Sequence, residues 1–139
     1  MEAREVRKTV LGSIALALTF IVVPASAHHS FAMYDNGRIV TVSGTVKEFD
    51  WVNPHSWVRI TVTAQDGKQE LWAIELASVG QQARIGWKPD TLKPGDKVTA
   101  QIRPMKDGTR GGMLVSITLP DGKTLGHGGM PNSDFGTIE

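Results

Sequence analysis

Val40-Thr41-Val42-Ser43-Gly44-Thr45-Val46-Lys47-Glu48-Phe49-Asp50-Trp51 is the stretch that decides the fold. Val40, Val42 and Val46 share one face of a period-two pattern with Gly44, and Thr41, Ser43, Thr45 and Lys47 occupy the other, which is the pattern of a half-buried strand. Near Lys47-Glu48 the phase slips, so that Phe49 and Trp51 become the apolar pair. One extra residue in a strand does this, and it bends the strand sharply. A long, bent first strand suits a small closed barrel.

Downstream, Asn53-Pro54 breaks the run, and Val58, Ile60 and Val62 then alternate with Trp57, Arg59, Thr61 and Thr63 in a second strand. Asp66-Gly67 supplies a hairpin turn to a third strand, Glu70 to Leu76, in which Trp72, Ile74 and Leu76 share a face. Glu75 lies on the opposite phase and is expected to pair with Arg59 across the sheet. Ser78-Val79-Gly80-Gln81 has the form of a capping box and leads into one short helix that ends before Gly86. After the Pro94-Gly95 turn, Val98, Ala100 and Ile102 mark a fourth strand. A polar, glycine-rich loop, Lys106 to Gly112, leads to a fifth, with Met113, Val115, Ile117 and Leu119 expected on its inner face. A final Pro120-Asp121-Gly122 turn adds a short strand ending near Leu125.

Three strands, a helix and two strands, with the first strand bent, is the arrangement of an OB-fold, a five-stranded barrel, so the class expected is all-β with one short helix. A small β-sandwich is the alternative. The barrel is expected over 39–125, between a leader at 28–38 and a mobile, Gly-rich tail at 126–139 in which His127 is free.

Ahead of the leader, residues 1–27 have the three parts of an export signal. Arg4, Arg7 and Lys8 give a charged start, Val10 to Val23 an apolar run, and Ala25-Ser26-Ala27 a small-x-small cleavage pattern. The run is shorter than the roughly 20 residues of a spanning helix, so a cleaved signal is expected rather than a stable membrane anchor, with a periplasmic or secreted product beginning at His28. Cleavage after Ala25 would instead leave Ser26-Ala27-His28 at the terminus. The chain has no cysteine, so disulfides, thiolate metal sites and thiol catalysis are excluded and packing must stabilise it. Of 15 Lys+Arg and 14 Asp+Glu, three basic and two acidic residues belong to the signal. The balanced remainder has no basic cluster, and no nucleic acid partner is expected. A small ligand or an envelope protein is the candidate partner, with the oligomeric state left open.

His28-His29-Ser30-Phe31 followed by Tyr34-Asp35, the Trp51-to-His55 run Trp-x-Asn-Pro-His, and Leu92-Lys93-Pro94-Gly95-Asp96 together resemble a family of small exported bacterial proteins known only as a domain of unknown function. The similarity covers nearly the whole chain after the signal. The His-His start and the Asn-Pro-His turn are its most specific elements, since Lys-Pro-Gly-Asp precedes strands in many unrelated β proteins. The resemblance implies export and one compact β domain, and brings no activity.

An amino-terminal histidine chelates a metal through its own amine and its ring Nδ1, and a second imidazole completes the copper arrangement called a histidine brace. The candidate metal ligands are His28, His29 and His55, and the candidate cofactor is copper, since amine and imidazole nitrogens suit Cu(II). A local chelate of the amine with the amide and ring of His29 competes with the brace. His55 has a plainer role open to it, a hydrogen bond to a backbone carbonyl near Trp51 or Trp57. Met33, Met105, Met113 and Met130 raise Cu(I) thioether ligation, although their irregular spacing favours packing for Met113 and exposure for Met130. The candidate ligand-binding residues are Trp57, Lys106 and Arg110, at the usual binding rims of an OB barrel. Three functions follow: an exported module that binds copper, a metal-independent module for a peptide, glycan or envelope partner, and a copper-dependent redox enzyme. No catalytic residues are assigned, because the adjacency of His29-Ser30 and of His55-Ser56 in sequence does not by itself make a nucleophile and base with an orienting carboxylate.

Overall fold

The structure is a computed structural model that describes residues 31–129. Six strands form its sheet: β1 (Val40–Asp50), β2 (Trp57–Thr63), β3 (Gln69–Glu75), β4 (Lys97–Pro104), β5 (Gly111–Thr118) and β6 (Thr124–Gly126). They run in the order β3-β2-β1-β4-β5-β6, and a parallel pairing of β3 with β5 closes the first five into a barrel. This is the OB arrangement, not the sandwich. One short helix, α1 (Val79–Arg84), lies between β3 and β4, and Ser78 and Gln81 form its capping box.

β1 serves two partners because it bends. Val40 to Thr45 pair with β4, Thr45 to Asp50 pair with β2, and the register slips between Val46 and Glu48. Lys47 is the extra residue, so Phe49 and Trp51 point back to the core, where the Phe49 ring lies 5.8 Å from Trp51 and 5.7 Å from Trp87. The interior is built from Val42, Val46, Val58, Ile60, Ile74, Leu76, Trp87, Val98, Ala100, Ile102, Leu114 and Ile117. Trp87 also donates its indole N–H to the Gly126 carbonyl at 2.9 Å, which anchors β6.

Two expectations for β5 are corrected. Gly111 and Gly112 are its first residues rather than loop, and a second register shift, between Gln101 and Ile102 of β4, pairs Ile102 with Leu114. Leu114 therefore joins the core, while Met113 and Val115 are buried outside that cluster. The sequence hid the shift because β5 is apolar on both faces, and alternation then carries no phase.

Candidate functional site

The site lies on the outer face of the barrel, where register sets four residues in a row. Trp57 of β2 pairs with Glu75 of β3, Glu75 with Met113 of β5, and Met113 with Arg103 of β4. Paired residues share a face, so the row runs across four strands. Chain from outside the barrel covers it. Phe31–Met33 forms a 3₁₀ turn, Tyr34 bridges to Met105, and Asp35 donates its N–H to the Pro104 carbonyl at 2.9 Å. His127, just beyond β6, packs in from the other end and is 5% exposed.

Glu75 is the hub. Only 7% exposed, its carboxylate accepts the Tyr34 hydroxyl on one oxygen and is hydrogen-bonded to His55 Nδ1 through the other. A carboxylate facing Nδ1 favours the tautomer with its proton there and the ring lone pair on Nε2. His55 sits in the β1–β2 turn, where the Asn53–Pro54 peptide is cis, Asn53 accepts the Val79 N–H and Ser56 is paired to Ala77 and Leu76. The turn is thus bolted to the start of α1 and the end of β3, which fixes the imidazole's root.

The electrostatics are those of a covered polar cluster. Burial raises the Tyr34 pKa above its ordinary value, reinforced by its hydrogen bond to Glu75 and by the carboxylate's charge. Burial pushes His127 down to about 4; the Glu75 carboxylate opposes the shift, and the nearby Arg103 guanidinium adds to it. The Gly129 N–H donates to His127 Nδ1 at 3.2 Å, which agrees with a neutral ring.

Beside this cluster the leader encloses a cavity of about 200 Å³ with an almost wholly apolar wall, lined by Met33, Tyr34, Trp57, Met105 and Arg110 over a floor of Ala73, Gly111 and Gly112. Added Cβ atoms would lie 2.3 Å from the Ala73 carbonyl oxygen at Gly111 and 2.2 Å from the Arg103 oxygen at Gly112. The glycines let β5 close on its neighbours, and their missing side chains leave the cavity room.

Of the candidate residues, Trp57 and Arg110 meet at this cavity, while Lys106 is exposed outside it and donates its backbone N–H to Met33. His28 and His29 lie outside the described residues. His55 bonds the Glu75 carboxylate through Nδ1. Arg59 pairs with Glu48, at 2.9 Å, and with Asp50, not with Glu75, because the bulge sets Glu48 opposite it. His127, expected to be free, is buried. Glu75 and Tyr34 were missed as site residues, and the one signal was the outward phase of Glu75. Among the described residues, no group of three or more His, Cys, Asp or Glu side chains is placed to hold a metal ion.

A family of unknown function, DUF6152, matches residues 17–115, a span that contains Tyr34, His55, Trp57, Glu75 and Arg110. The chain belongs to that family. No curated protein matches this DUF6152 member. A solved structure that does is a mitochondrial single-stranded DNA-binding protein from S. cerevisiae, with 14% identity and a TM-score of 0.44 over 59% of this chain and 93% of that one. Beside this neighbour, the expectation of no nucleic acid partner, drawn from charge balance alone, is withdrawn. Single-strand binders also act by stacking bases on aromatic side chains, so an even charge balance excludes nothing by itself. A likeness of this degree carries no argument about what the DUF6152 chain binds.

Proposed function

We propose that this DUF6152 protein is an exported binding module that takes Cu(II) through the amine and ring of His28, with the imidazole of His55 as the further nitrogen. The observation that carries the reading is the hydrogen-bonded chain Tyr34–Glu75–His55. It ties the leader to the corner that holds the imidazole, and it orients the ring through Nδ1, as carboxylates do for metal-bound histidines. His28 precedes Phe31 by three residues, a reach of at most about 11 Å of extended chain. An amine and two imidazoles form a nitrogen set on which Cu(II) stands highest among the common divalent ions.

The test begins with the intact mass of the secreted protein, expected to start at His28, followed by equilibrium Cu(II) titration. One equivalent is expected to bind, with affinity lowered at least about tenfold in His28→Ala, in His55→Ala and in a form carrying one extra residue ahead of His28. Unchanged affinity in His28→Ala would overturn the amino-terminal site. Loss in His29→Ala but not in His55→Ala would overturn the brace in favour of the local chelate.

A further inference from the structure

The cavity under the leader holds a second set of donors, of opposite chemical character to the nitrogens. Met33 and Met105 both line it, on facing segments held together by the Tyr34 to Met105 bridge and by the Lys106 N–H to Met33 carbonyl bond at 3.0 Å. Met33 is 46% exposed, so this side of the cavity is reachable from solvent. The half-buried Trp57 contributes an aromatic wall. Arg110 at the rim would repel a cation, but its guanidinium is paired with Glu70 at 2.8 Å and their charges offset.

We propose that Met33, Met105 and the indole of Trp57 form a site for a soft monovalent cation, Cu(I) or its analogue Ag(I). Thioether sulfurs select Cu(I) over the harder divalent ions. Methionine's unbranched side chain lets two sulfurs turn inward on a small ion without moving the backbone. An aromatic face stabilises a cation that has shed part of its water against apolar walls. The spacing of the two methionines, 72 residues apart in sequence, hides the pair; the leader folding against the start of the β4–β5 loop creates it. The site shares no ligand with the His28 and His55 set, so either stands without the other.

The experiment is an Ag(I) titration of the mature full-length protein, repeated with Cu(I) against a chromophoric Cu(I) chelator, and read by tryptophan fluorescence and by NMR of ¹³C-methyl-labelled methionines. One equivalent is expected to quench emission and to shift two methyl resonances, assigned to Met33 and Met105 by their loss in Met33→Leu and Met105→Leu. Each of these near-isosteric variants is expected to keep its thermal midpoint within a few degrees and to lose about tenfold or more in Ag(I) affinity. His28→Ala and His55→Ala are expected to leave Ag(I) affinity unchanged. Equal affinity in the leucine variants, or methyl shifts confined to other methionines, would overturn the proposal. So would Ag(I) loss in His28→Ala with none in the leucine variants. Displacement of an apolar reporter such as indole, with no Ag(I) response, would assign the cavity to a small apolar ligand and overturn the metal site.

Discussion

Among the described residues, Glu75 is the side chain on which the polar cluster converges, because a buried carboxylate must find donors and here finds two. Removing one exposes its cost. Tyr34→Phe deletes the hydroxyl and is expected to lower stability by about 1.5–3 kcal/mol, the range for hydrogen bonds to charged groups, as read by urea denaturation. A change below about 0.5 kcal/mol would mean the hydroxyl contributes nothing net. His127 gives a pH signature. The unfolded chain takes up the imidazole proton near pH 6.5, whereas the fold keeps the ring neutral down to about 4. Protonation thus favours the unfolded state within that window: stability contributed by His127 is intact above pH 6.5, falls as the pH drops, and levels off below 4 after a loss of roughly 3 kcal/mol. In His127→Gln that part of the slope is expected to vanish, measured as the difference between the two proteins' denaturation midpoints from pH 7 to 4. The outward phase of Glu75 was legible from the alternation of its strand. Its partners were not, since they lie 41 and 20 residues away in turns and leader, and no local pattern encodes that a leader folds over a sheet.

Among the elements, β1 was the most legible and β5 the least, for one physical reason. A strand with a wet face writes its phase into the sequence, so the slip at Lys47 could be seen. β5 is covered on both sides, its residues are apolar at every position from Met113 to Val115, and its bulge left no trace. Gly111 and Gly112 read as loop because glycine suits loops, yet the backbone of β3 and β4 approaches them too closely for any side chain. Gly112→Ala is expected to cost about 3 kcal/mol, since the added methyl meets backbone and not a yielding side chain. For a domain of this size, that is a fall in thermal midpoint of roughly 10 °C or more. Gly108→Ala, where φ is +80° and the space is open, is expected to cost only about 1 kcal/mol from the backbone conformation. Similar losses at the two positions would contradict the close approach.

On the scale of the whole molecule, the barrel was legible because its strand order follows from three strands, a helix and two strands, with a bend in the first. The site was only partly so. Histidine, aromatic and cationic types at the barrel rims marked His55, Trp57 and Arg110, but the structure assembles its polar cluster on an outer sheet face between leader and tail, a placement set by long-range closure. That geometry makes the leader part of the site. In the copper site we propose, leader and barrel would likewise each supply a ligand. The most direct measurement is the Cu(II) electron paramagnetic resonance spectrum of the protein beginning at His28, at one equivalent of metal, beside that of His55→Ala. A change in the nitrogen hyperfine pattern and in the g values on losing His55 is the expected result. Superimposable spectra from the two proteins would contradict a site shared between terminus and barrel.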